Sequence, residues 1–136
     1  MEQSVLIAIK SALSVIEKCL RDILQEIKTD SKSRSWLFKV RRSDISEEAA
    51  SQLTVKAEEM LREIQELQRK FRIGKDDESI RWHVISDLSQ IWTILSDLTP
   101  DGLQGYGQMP SEEGKLLTIH VDKMTTIRKD MERLLS

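Results

Sequence analysis

Residues 5–27 read Val5-Leu6-Ile7-Ala8-Ile9-Lys10-Ser11-Ala12-Leu13-Ser14-Val15-Ile16-Glu17-Lys18-Cys19-Leu20-Arg21-Asp22-Ile23-Leu24-Gln25-Glu26-Ile27. Val5, Ile9, Leu13, Ile16, Leu20, Ile23 and Ile27 recur at intervals of 4-4-3-4-3-4, the period that returns side chains to one face of an α-helix. The spacing predicts a helix over about residues 3–28. Ala8, Ala12, Val15 and Cys19 widen the apolar arc beyond one seam, and Ile7 adds to the far side. So wide an arc belongs to a central helix or to an interface.

The same signal recurs three times downstream. Leu53, Ala57, Met60, Ile64, Leu67 and Phe71 are spaced 4-3-4-3-4 and predict a helix over about 46–72. Ser46 suits its N-cap, Glu47 and Glu48 its positive end, and Gly74 its termination. Ile80, Val84, Leu88, Ile91, Leu95 and Leu98 predict a third helix over about 77–98, stopped by Thr99-Pro100. Leu117, His120, Met124, Ile127, Met131 and Leu134 predict a fourth over about 112–135, after Pro110-Ser111. Connecting segments then fall at about 29–45 and 99–111.

Four amphipathic helices with near-heptad stripes imply an all-α chain, one domain over residues 1–136: an antiparallel four-helix bundle that dimerisation can complete or extend. The competing arrangement is a helical hairpin that completes its bundle only as a dimer, and a homodimer is expected. Five glycines and two prolines in 136 residues are too few turn-formers for a barrel or sandwich of short strands.

The formal charge of −2 creates no global field toward nucleic acid or membrane. The distribution is uneven. Residues 1–75 hold 15 basic and 12 acidic residues, a net +3, and residues 76–136 hold 6 and 11, a net −5. One cysteine, Cys19, permits no intramolecular disulfide, and beside the first stripe it reads as a small inert hydrophobe. The start Met1-Glu2-Gln3-Ser4 lacks the basic residues of a signal peptide. The run Val5-Leu6-Ile7-Ala8-Ile9 is cut by Lys10, short of the ~20 residues that span a bilayer. No transmembrane segment and a cytoplasmic setting are expected.

No catalytic constellation emerges. His120 falls on the apolar stripe of the fourth helix, where a lone histidine is ordinarily a core or interface residue. His83 stands one turn before Asp87, an available i,i+4 pair. A carboxylate-bridged metal site needs Glu-x-x-His on two helices, but Ile80 and Leu117 occupy the required positions. Magnesium-dependent helical pyrophosphohydrolases use Glu-Glu-x-x-Glu followed by Glu-x-x-Asp. Here Glu58-Glu59 and Glu63 are one residue too far apart and no Glu-x-x-Asp occurs. Glu58–Arg62 and Glu66–Lys70 read as solvated i,i+4 pairs. Helical RNases with Arg four to six residues before His find no match at His83 or His120 either. Phosphate-loop, nucleophile-elbow and His-Glu-x-x-His motifs are absent. No catalytic residue, metal or cofactor is therefore expected.

Two segments lie outside the helical pattern. Between Lys28 and Arg42 six residues are basic and one is acidic, and Trp36, Phe38 and Val40 alternate with Leu37, Lys39 and Arg41 in a strand-like pattern. Lys32, Arg34, Trp36, Phe38, Lys39, Arg41 and Arg42 could stack bases and neutralise phosphates, or seat in an anionic surface. The favoured expectation is a connecting loop in which Trp36 and Phe38 close the bundle end. Residues 99–110 hold three of the five glycines, both prolines and the only tyrosine, Tyr106. Leu103, Tyr106 and Met109 are expected to fold over the bundle end, with a partner-binding loop as the alternative. Trp92 reads as core and Trp82 as partly exposed.

The expected function is a non-enzymatic protein-interaction or regulatory bundle, its partner a protein or itself. Nucleic-acid or anionic-surface binding through residues 28–42 is the alternative, and a metal- or nucleotide-dependent helical enzyme comes third.

Overall fold

Ser46 and Ser79 set two of the helix starts. The Ser46 hydroxyl accepts from the Ala49 N–H at 3.1 Å and the Ser79 hydroxyl from the Trp82 N–H at 3.3 Å, each satisfying an amide that the first helical turn leaves open. In a computed structural model, which describes residues 1–28 and 36–136, four α-helices follow in order: α1 Gln3–Lys28, α2 Glu47–Lys70, α3 Ile80–Asp97 and α4 Ser111–Arg133. The chain is all-α, its helices packed in pairs as in a helical bundle, α1 on α2 and α3 on α4. It forms two compact units, Met1–Lys75 and Asp76–Ser136.

α1 matches its expected span, and the other boundaries move for local reasons. α3 begins at Ile80 rather than 77 because Ser79, and not the acidic run before it, supplies the cap. α2 ends at Lys70, and Gly74 is not what stops it. Arg72 takes the left-handed conformation at φ 54°, while its N–H donates to Arg69 O at 3.2 Å and that of Ile73 to Gln68 O at 2.9 Å. These two bonds form a Schellman motif with an arginine where glycine usually sits.

In the first unit Leu20, Leu24 and Ala57 are buried together, with Leu61 and Ile64 packed against them. Arg41 Nη2 donates to Glu26 Oε2 at 2.6 Å, so the chain is back beside the end of α1 shortly before α2 begins. In the second unit Leu88, Leu95 and Val121 are buried. Arg81 Nε donates to Leu135 O at 2.7 Å, placing the start of α3 beside the end of α4 and making that pair antiparallel.

The connection from α3 to α4 is compact at its base. Thr99 Oγ1 accepts from the Gly102 N–H at 2.9 Å, and a Cβ on Gly102 would overlap the Asp97 carbonyl oxygen. Glycine is required there by contact. Pro100 and Met109 lie over buried Gly114, within 3.4 and 3.8 Å of where its Cβ would stand. Leu103 and Met109 are half-buried, as expected of residues folding over the helix ends, but Tyr106 is 91% exposed on a short 3-10 turn, Gln104–Tyr106.

Candidate functional site

The hairpins bury only part of the apolar stripes read from the sequence: Leu20, Ala57, Leu88 and Leu95 lie in the seams, while other stripe positions stay exposed. On α4 the buried positions are Gly114 and Val121, with Thr125 and Arg128 half-buried. Of the expected stripe, Leu117 is half-buried, whereas His120, Met124, Ile127, Met131 and Leu134 are exposed. On α2 the seam runs through Ala57, Leu61 and Ile64, leaving Leu53, Met60 and Leu67 exposed at intervals of seven. On α1 Leu20 and Leu24 are buried, and Ile16 and Ile23 are exposed. On α3 Leu88 and Leu95 are buried, and Ile91 and Ile94 are exposed. Trp92, expected in the core, is 52% exposed. Cys19 is exposed too.

At 100° per residue, each exposed row lies on the same rotational side of its own buried seam. In antiparallel helices that relation puts both rows on one face of the hairpin. Ile91 and Ile94 thus share a face with Met124, Ile127 and Met131. Leu53, Met60 and Leu67 share one with Ile16 and Ile23. A half-exposed Leu, Ile or Met has about 100 Å² left to cover, so a face carries on the order of 400 Å² of apolar surface.

The basic, aromatic segment is the second feature. Lys32 and Arg34 lie outside the described residues. Trp36 and Lys39 face each other across a tight turn, the Trp36 N–H donating to Lys39 O at 3.0 Å and the Lys39 N–H to Trp36 O at 3.4 Å. This one bridge replaces the strand expected from the alternation. The turn lifts Leu37 and Phe38 to its tip, each 95% exposed, with Trp36 at 67% and Val40 also exposed. Trp36 and Phe38 therefore do not close a helix end: the turn bonds Trp36 to Lys39 through the backbone and carries Phe38 outward into solvent. Lys39 and Arg42 are exposed and Arg41 is half-buried in its pair with Glu26. Tyr106 belongs to the other unit.

The titratable groups pair locally. Glu59 meets Lys56 at 3.1 Å and Glu66 meets Arg69 at 2.8 Å, in place of the expected Glu58–Arg62 and Glu66–Lys70 pairs. The Arg69 guanidinium holds the Glu66 carboxyl below its ordinary range, first by its hydrogen bond and then by its charge. His83 Nε2 lies 3.3 Å from Glu78 Oε2 rather than beside Asp87. Among the described residues, no group of three or more His, Cys, Asp and Glu is placed to hold a metal ion. None of their helices is long and apolar enough to cross a membrane. An open, mostly apolar groove of about 570 Å³ runs past Pro100, Met109, Gly114, Lys115 and Ile119.

No family model matches the chain, and neither a curated protein nor a solved structure does.

Proposed function

We propose that the chain is a non-enzymatic helical interaction module whose partner is a second copy of itself, working in the cytoplasm. The observation that carries this reading is the pair of exposed heptad rows, Leu53, Met60 and Leu67 on α2 and Met124 and Met131 with Ile127 on α4, continued by Leu134 at its C-cap. Each antiparallel pair has the composition of half a four-helix bundle, with one face paired and the next still apolar. Two such faces together approach the ~1,000 Å² that a specific interface covers. The charge division supports the same reading, because a unit of +3 and a unit of −5 attract their opposites in a neighbouring chain. Cytoplasmic placement rests on the lone cysteine, which suits a reducing compartment.

Sedimentation velocity of the full chain tests the proposal. The wild type is expected to sediment as a dimer, and Met60→Lys and Ile127→Lys to shift it toward monomer with helix content unchanged by circular dichroism. Each lysine removes about 2.5 kcal/mol of apolar burial per copy. A wild type that stays monomeric at every accessible concentration overturns the reading.

A further inference from the structure

We infer that the turn at residues 36–42 is a docking element for an anionic lipid surface, inserting Leu37 and Phe38 among the lipid headgroups. Two adjacent large apolar side chains, each 95% exposed, stand at the tip of a turn whose flanking residues are bonded to each other through both backbone groups. The turn is thus ordered without help from its apolar side chains. Trp36, beside the tip, has the amphipathic ring that favours the boundary between hydrocarbon and water. Lys39 and Arg42 are exposed at the base, where cations meet lipid phosphates when the tip is inserted. Arg41, bonded to Glu26 at 2.6 Å, fastens the turn to the end of α1, so insertion positions the first unit. Asp44 and Glu26 are the described acidic groups nearest in sequence, and Glu26 is already paired with Arg41.

Charge alone would suit nucleic acid equally. The tip chemistry does not. Leu37 and Val40 have no ring to stack on a base, and only Trp36 and Phe38 could do so, whereas all four gain from leaving water for an acyl boundary. Depth is limited too: the Leu37 and Phe38 peptide groups lie outside the Trp36–Lys39 bonds and need hydration, which keeps the turn at the headgroup level.

The test is co-sedimentation of the full chain with vesicles of phosphatidylcholine, with and without phosphatidylserine. Binding is expected only to the anionic vesicles and is expected to weaken with added salt. Leu37→Ser and Phe38→Ser each lower it about tenfold, and Lys39→Gln and Arg42→Gln about fivefold each. In a chain carrying Trp82→Phe and Trp92→Phe, the emission of Trp36 shifts to the blue on binding. The tip side chains pack against nothing, so circular dichroism and the oligomeric state of the variants remain those of the wild type. That separates this inference from the self-association reading. Absence of vesicle binding, equal binding by the tip variants, or retention on single-stranded nucleic acid but not on vesicles overturns it.

Discussion

Arg72 and Gly74 offer a direct test of how α2 ends. Arg72 holds φ at 54° at the left-handed position of the Schellman motif, its own N–H making one bond and that of Ile73 the other. That conformation costs an L-residue about 1–2 kcal/mol because Cβ crowds the following carbonyl. Glycine removes that crowding, at a loss of about 0.5–1 kcal/mol from the greater freedom of its unfolded chain. Arg72→Gly is therefore expected to stabilise the protein by about 0.5–1 kcal/mol, since the arginine is exposed. Gly74 has an ordinary φ, and a Cβ there meets nothing within 4 Å. Gly74→Ala is expected to be neutral or to stabilise by up to about 1 kcal/mol. For a unit of this size 1 kcal/mol moves the midpoint by roughly 4–8 °C, which thermal melts followed at 222 nm, the usual far-ultraviolet helix band, resolve easily. If Gly74→Ala lowers the midpoint by that much while Arg72→Gly leaves it alone, the left-handed residue is Gly74 and the reasoning fails.

Gly102→Ala, whose Cβ would meet Asp97 O and lie 3.0 Å from Thr99 Oγ1, is expected to cost about 2–4 kcal/mol. Gly105→Ala, which meets nothing within 4 Å, serves as the neutral control in the same melt. Arg128 has an accessible side-chain fraction of 12% and a buried Nε with no hydrogen-bond partner. Arg128→Met is expected to stabilise by about 1 kcal/mol by removing that orphan donor, whereas Arg128→Ala destabilises because the packed stem is lost. Glu66 should titrate below an ordinary glutamate, and Arg69→Gln should return it toward that range, as read by carbon-13 NMR of its carboxyl. Because its folded value is depressed, its contribution to stability is present above the ordinary range and is lost as pH falls through the folded value.

Helix existence was legible in the sequence because it rests on local features. The 3-4 spacing of Val5 to Ile27 placed α1 correctly, and Ser46 was recognisable as a cap because a serine oxygen can reach the third amide of a helix without tertiary support. The end of α2 was misread because glycine is the usual left-handed residue and Arg72 carries no sign of adopting that conformation. The turn at 36–39 was hidden for a related reason. It contains no Gly, Pro, Asn or Asp, so the alternation of Trp36, Phe38 and Val40 resembled a strand, and Trp36 and Phe38 resembled core residues.

Periodicity, capping and charge specify where the four helices lie and that each carries a wide apolar arc, since all three act within a few residues along the chain. They leave open which part of the arc is buried. A single neighbouring helix covers only a narrow stripe, and its position depends on side chains far away in sequence. α4 buries Val121 and half-buries Arg128 against α3 while Met124, Ile127 and Met131 stay exposed. Packing made that choice, and it brought the apolar rows onto the faces through which the chain is proposed to associate.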